Sequence, residues 1–224
     1  LESDHEYQYR IGLGERYGKL LQSMSGIHYN FELGKDLTQQ LFELSEETDF
    51  VAFKNTLYLK LAQNFLNYRW LLTYLYGASS LAEKGFLSEE VGCVRSIRNS
   101  KHGYVNAEDV HISFSSLEQY VADIEQAVQS GQLSAEKEFY SSVRLRGAKT
   151  SRDFFSKGIS YLEFRTFDLN PYDPFAISQE TLDTVHLFLL ALLWLDQLAD
   201  VDNALTKADR LNNLIALSHP HTPL

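Results

Sequence analysis

From Gln22 to Leu33 polar and apolar residues alternate with the period of a β-strand, and the polar set is chemically mixed. At a period of two, Gln22, Met24, His28, Asn30 and Glu32 fall on one face, and Ser23, Ile27, Tyr29, Phe31 and Leu33 on the other. An amide, an imidazole, a second amide and a carboxylate thus share a face. A half-buried strand ordinarily opposes an apolar core face to a scattered polar one. Here the polar groups are those a substrate or metal site uses, although a plain solvent-facing edge would also produce them.

Two later stretches repeat the habit. Glu136 to Arg146 sets Glu136, Glu138, Tyr140, Ser142, Arg144 and Arg146 against Phe139, Val143 and Leu145. Ile159 to Phe167 alternates Ile159, Tyr161, Glu163, Arg165 and Phe167 with Leu162 and Phe164. A Glu and an Arg two apart on a strand can simply compensate each other as an ion pair. Three such strands together point to a sheet whose polar face is a working surface and whose apolar face packs on helices. The helices are marked separately. An apolar run recurs at helical spacing from Phe53 to Tyr76, with Gly77 as a stop. A capping pattern at Ser115-Ser116-Leu117-Glu118 opens a helix through Val128, with Gly131 past its end. Ser178 caps a helix to about Leu198 that is apolar almost all round and is expected to be deeply buried. A last amphipathic helix spans Ala204 to Leu217, and Pro171 and Pro174 interrupt the chain before the Ser178 helix. The expectation is an α+β fold, with an antiparallel or mixed sheet covered by helices on one face.

The 224 residues suffice for one substantial core, and a 44% hydrophobic content is that of a globular chain. A net charge of -10 argues against a nucleic-acid binder. An acidic protein that handles anionic substrates must neutralise them locally, and Arg10, Arg98, Arg144, Arg146 and Arg165 lie in the patterned segments. The single cysteine, Cys93, allows no internal disulfide and suits a reducing, cytoplasmic setting. No signal pattern is present, and the greasiest run, Val185 to Leu195, is too short to span a bilayer. Position 1 is Leu, so the chain is read as part of a longer or processed product.

Five motifs in order carry a specific resemblance. They are Tyr9-Arg10 with Arg16-Tyr17-Gly18, Gln22 and Ser25-Gly26-Ile27-His28-Tyr29-Asn30-Phe31; Tyr74-Leu75-Tyr76-Gly77-Ala78-Ser79; Ser96-Ile97-Arg98 with Gly103-Tyr104-Val105-Asn106; Glu138-Phe139-Tyr140 with Arg144; and Tyr161-Leu162-Glu163-Phe164-Arg165 with Asp168-Leu169-Asn170-Pro171. This series resembles the bacterial glutamate–cysteine ligase family, and Phe31-Glu32-Leu33-Gly34 leans toward the ligase part of bifunctional glutathione synthases. The resemblance implies a glutamine synthetase-like curved sheet with the site on its concave face. It implies that ATP phosphorylates the side-chain carboxylate of L-glutamate and that the amine of L-cysteine then displaces phosphate to give γ-glutamylcysteine. His28 and Glu163 resemble ligands of Mg²⁺ (or Mn²⁺) near the ATP phosphates. Arg165 resembles the cation that stabilises the transferring phosphoryl group, and Arg98 an anchor for a carboxylate or phosphate. Gln22 and Asn30 resemble amides that place the amino acids, and Tyr9, Arg10, Tyr104 and Tyr140 the pocket for cysteine. Tyr9 and Tyr104 could equally be packing residues, and Asp168 and Asn170 could only shape a turn.

The family's strand of metal-binding glutamates is not found in this sequence, nor is an ATP-grasp synthase domain. Residues 1–224 therefore read as an incomplete portion of a ligase catalytic domain, not competent for ligation alone. Two other readings stand beside it: a related carboxylate–amine ligase with another acceptor, and a non-catalytic substrate-binding module. A metal-dependent hydrolase fits less well, because His28 and Glu163 are a thin ligand set.

Overall fold

The computed structural model describes residues 4–223. The helices are α1 (Asp4–Tyr17), α2 (Lys35–Glu43), α3 (Phe50–Tyr68), α4 (Trp70–Tyr76), α5 (Leu117–Gln129), α6 (Phe154–Lys157), α7 (Gln179–Trp194) and α8 (Val201–Leu217). The strands are β1 (Ile27–Phe31), β2 (Val143–Arg146) and β3 (Tyr161–Phe167). The strands form one antiparallel sheet in the order β1-β3-β2.

Register carries the sequence alternation across all three strands. Asn30, Glu163 and Arg144 form one cross-strand row, and Tyr161 pairs with Arg146. The alternate rows are apolar: Tyr29, Phe164 and Val143, then Phe31, Leu162 and Leu145. Because residues directly opposite one another project to the same side, the sheet has one polar and one apolar face. The apolar face rests on α3, where the Phe65 and Phe164 rings lie 4.3 Å apart. On α3, Leu61, Ala62 and Phe65 are fully buried. Its buried amides tie distant loops to the core. Asn55 bonds the Phe154 carbonyl and the Ile159 N–H, and Gln63 bonds the Phe114 carbonyl. Buried polar side chains are tolerated there because each finds a backbone partner. Helix α7 reaches the same face at β1, where Phe31 meets the His186 ring at 5.9 Å.

Side-chain caps explain four of the eight helix starts among the described residues. Asp49 accepts from the Val51 and Ala52 N–H groups, Ser116 from Gln119, Ser178 from Thr181, and Asp200 from Asn203. The cap of α5 is therefore Ser116, one residue along from the start of the sequence pattern. Gly77 ends α4 with an ordinary negative φ; its requirement is steric, since a Cβ there would come within 2.7 Å of the Thr73 and Arg95 carbonyl oxygens.

Several expectations are corrected. The first strand is shorter than Gln22–Leu33. Leu21–Ser23 is a 3₁₀ turn, and the ladder begins at Ile27 with a register shift before Tyr29, so Gln22 and Met24 are not strand residues. Glu136–Glu138 is likewise a 3₁₀ turn, and β2 starts only at Val143. The Phe53–Tyr76 helix is interrupted at Arg69, whose guanidinium turns back to the Leu66 carbonyl and pairs with Asp209 on α8. The Ser178 helix is not buried all round. Val185, Leu189 and Leu192 face inward, while Leu187 and Trp194 are 66% and 85% exposed. Helices α1 and α2 were not read from the sequence: α1 carries no sustained apolar stripe, and α2 is only 9 residues long. The helices do not all cover one face either, since α1 lies on the polar side of the sheet and brings Tyr9 into the cleft described below. Among the described residues no helix is long and apolar enough to cross a membrane.

Candidate active site

Glu163 sits at the centre of the polar face, 5% exposed, on the one strand paired on both sides. Its Oε1 faces His28 Nδ1 at 3.0 Å, and its Oε2 accepts from Arg146 Nε at 2.6 Å. His28 and Glu163, far apart in sequence, are thus in direct contact on one face. Arg165 Nε lies 3.6 Å from the same carboxylate, beyond a hydrogen bond, and its guanidinium covers the Tyr140 ring at 4.7 Å. Burial lowers the pKa of His28, the nearby charge of Arg165 lowers it further, and Glu163 opposes both. The imidazole is therefore neutral at pH 7 and keeps a lone pair.

Arg98 reaches this face from a loop. Its Nη2 donates to the Arg165 carbonyl, while its Nη1 is buried, 4.0 Å from Asp168 Oδ1 and without a hydrogen-bond partner. Arg165 Nε is buried and unpartnered in the same way. Asp168 does more than shape a turn. Its Oδ2 accepts from the N–H groups of Ala78 and Ser79 and from the hydroxyls of Ser79 and Ser96. It anchors the loops that hold Arg98, and these are the same Tyr74–Ser79 and Ser96–Arg98 motifs quoted above. Asn170 does shape a turn, bonding Asp173 and the Tyr172 N–H.

Beside Arg165 and Arg98 opens a cleft of about 480 Å³. Tyr9, Gln22, His28, Arg98, Tyr104, Tyr140 and Arg165 line it together, although they come from α1, one 3₁₀ turn, three loops and two strands. Tyrosines form one wall. Tyr104 lies 5.3 Å from Tyr17 and 5.4 Å from Tyr140, and the Lys137 ammonium sits 4.1 Å above the Tyr9 ring. Burial pushes the Tyr104 phenol up to about 12, helped by the neighbouring Tyr17 and Tyr9, so it stays protonated and can donate. Asn30 is exposed on the polar face beside Glu163, outside the cleft lining. Arg10 is exposed on α1 and is also outside it.

Sequence reasoning missed how α1 is tied down. Glu138 does not join the polar sheet face. It accepts from Arg16 Nη1 at 2.8 Å and the Tyr17 hydroxyl at 2.7 Å, and from both the N–H and hydroxyl of Ser134. Burial raises its pKa, but hydrogen bonds from Ser134 and Tyr17 and the charge of Arg16 outweigh this and hold it below the usual carboxylate value. The signal was present, since Arg16, Tyr17 and Glu138 all lie in quoted motifs, yet nothing in their spacing says that they meet.

Comparison with known proteins places these observations. The glutamate-cysteine ligase family profile matches residues 2–132 and 129–213. The glutathione biosynthesis bifunctional protein GshAB of Streptococcus mutans is 64% identical over 98% of this chain, and that of Enterococcus faecalis 47% identical over 95%. The chain spans about 30% of the length of such relatives: 29% in both of these. A crystal structure of a bifunctional glutathione synthetase from Pasteurella multocida superposes with a TM-score of 0.92 at 44% identity, covering 98% of this chain and 30% of that one. The glutamate–cysteine ligase of Francisella tularensis, solved in complex with AMP, superposes with a TM-score of 0.82 at 26% identity, covering 95% of this chain and 50% of that one.

Proposed function

The chain belongs to the glutamate–cysteine ligase family, and on that premise we propose that it forms part of the site at which ATP and L-glutamate give γ-glutamyl phosphate and ADP, and L-cysteine then gives γ-glutamylcysteine and phosphate. The observation that carries this reading is the juxtaposition of unsatisfied cationic donors with a tyrosine-walled cleft. Arg98 Nη1 and Arg165 Nε are buried without partners. Buried polar atoms of this kind are costly unless a ligand completes them, and an oxyanion does so. In the first step the glutamate γ-carboxylate attacks the γ-phosphorus of ATP and ADP leaves. Arg165 stabilises the charge on the transferring group. In the second step the cysteine nitrogen attacks the acyl carbon, the C–O bond to phosphate breaks, and the nitrogen loses a proton. Tyr9, Tyr104 and Tyr140 orient the amine donor, Gln22 and Asn30 place the amino acids, and Arg98 anchors an anionic group. Arg10 is kept as a substrate contact on the family resemblance alone.

Among the described residues no three His, Cys, Asp or Glu side chains cluster as a metal site. A nucleotide-bound Mg²⁺ needs fewer protein donors, because water and phosphate oxygens fill most of its octahedron. A buried carboxylate and a neutral imidazole in contact fit that role. Glu163 and His28 would hold the Mg²⁺ (or Mn²⁺), which when bound neutralises phosphate charge. The three strands are read as part of a larger, glutamine synthetase-like curved sheet, since among the described residues the outer edges of β1 and β2 are unpaired. The names of the relatives support a biosynthetic role and a fused synthase domain in the whole protein, and the cytoplasmic setting is proposed on the single cysteine of the sequence.

The test is coupled phosphate release by the protein that carries this chain, with ATP, Mg²⁺ and glutamate and a panel of amines. Turnover is expected to require both glutamate and cysteine, with γ-glutamylcysteine identified by mass spectrometry and converted onward when glycine is added. Release without glutamate would replace the ligase by a hydrolase. Preference for another amine would retain the chemistry and change the acceptor.

A further inference from the structure

Three arginines stand on the polar face of the sheet around one carboxylate. Two of them are engaged. Arg146 bonds Glu163, and Arg165 covers Tyr140. Arg144 is different. Register sets it directly opposite Glu163, so it shares that face. Yet both Glu163 oxygens are taken, one by His28 and the other by Arg146. Among the described residues the Arg144 side chain makes no hydrogen bond or ion pair, although it is half-buried.

Long guanidinium side chains are seldom half-buried without a counter-charge, because desolvation penalises the charged form. Burial lowers the pKa of Arg144, and the neighbouring charges of Arg146 and Arg165 lower it further against weaker help from Tyr120 and Glu163. The surroundings thus lack negative charge. Glu163 offers one, against the three guanidiniums. A single amino-acid carboxylate would leave this surplus largely in place; a polyphosphate would cancel it. Geometry agrees. Arg165 donates its N–H to the Ser142 carbonyl, which makes Arg144 its diagonal neighbour across the strand pair. Diagonal side chains start roughly 7–8 Å apart, a gap that a phosphate bridging two guanidinium forks spans.

We propose that Arg144 directly contacts the β- or γ-phosphate of the nucleotide, beside Arg165. The proposal rests on the ATP-dependent reading above and adds a phosphate contact that the sequence motifs left without a role.

The test compares ATP and AMP binding to the full protein by calorimetry with Mg²⁺ present, for the unmutated protein, Arg144→Ala and Arg144→Lys. The expected result is an ATP affinity lower by roughly 10- to 100-fold in Arg144→Ala, the usual range for a lost charged hydrogen bond. AMP affinity should change less than about twofold, and Arg144→Lys should recover part of the loss. Equal losses for ATP and AMP, or no loss for either, would overturn the assignment. So would a raised KM for glutamate with unchanged ATP affinity. Should Arg144→Ala not fold, the unmutated protein still decides: ATP, and not AMP, should shield Arg144 from an arginine-specific dicarbonyl reagent, read by peptide mass spectrometry. If the unmutated protein binds ATP but releases no phosphate with glutamate and cysteine, the ligase reading fails while Arg144 stands or falls on the nucleotide comparison alone.

Discussion

At the residue scale, Arg165 is the side chain whose chemistry is best defined. Its ring contact with Tyr140 orients the guanidinium, and its Nε lies buried without a hydrogen bond. A donor held ready in this way is worth most when charge peaks on the transferring phosphoryl group. Arg165→Ala in the full protein should therefore lower kcat by on the order of 10²–10³ and raise the KM for glutamate much less. Steady-state kinetics with each substrate varied in turn decides the matter. A near-normal kcat would mean that Arg165 only balances Glu163. Both residues were legible as a pair two apart on one strand face. What could not be read is that Glu163 turns to Arg146 and His28 instead. Pairing along a strand follows from spacing, whereas pairing across strands follows from register, and register depends on the whole sheet.

At the element scale, the segment that enters β1 shows why short stretches are hard to read alone. Gly26 lies where the chain passes under Arg98, and a Cβ there would collide with the Arg98 guanidinium and the Phe167 carbonyl oxygen. Its necessity comes from a close approach and not from a special φ. Gly26→Ala should push Arg98 out of line, with a destabilisation of about 1–3 kcal/mol from the backbone clash. Denaturant melts would measure that cost, and kinetics at permissive temperature would show lost activity beyond it. Unchanged activity in a folded variant would show that the position of Arg98 does not matter. Alternation of polar and apolar residues across 28–31, 143–146 and 161–167 was visible in sequence, and so were the caps of α5 and α7, because both are local. The 3₁₀ turns at Leu21–Ser23 and Glu136–Glu138 break that alternation, and they are imposed by the packing of α1 and of the 131–140 loop. Helix α7 errs the other way, since apolar composition all round says nothing about which side meets α3.

At the scale of the molecule, the cleft exists because α1 is held against the 131–140 loop. Glu138 is the knot, with a side chain fully removed from solvent and Arg16 and Tyr17 bonded to it. Glu138→Gln loses a charged hydrogen bond and should cost about 2 kcal/mol in denaturant melts. Freed α1 no longer holds Tyr9 over the cleft, so the KM for cysteine should rise more than that for ATP. The pH dependence follows from the sign of the shift. The folded pKa of Glu138 lies below its ordinary value of 4.5, so its stabilisation is fully present above 4.5 and is lost as pH falls through the lowered value. The loss of stability of the unmutated protein in that acid range should be shallower in Glu138→Gln; identical acid profiles would remove Glu138 from this role.

The sequence by itself determined the two-faced character of the three strands, the caps of α5 and α7 and the set of polar residues available for chemistry, because each of these is a matter of neighbours two to four positions apart. Five ordered motifs also sufficed to suggest the family. Only the tertiary structure decided that α1 crosses the polar side and that Asp168 gathers the loops around Arg98. It also left the Arg144 side chain without a hydrogen bond while Arg146 bonds Glu163. Those outcomes depend on contacts between residues tens of positions apart, whose formation is governed by the packing of the apolar face on α3 and not by any pattern local to the residues themselves.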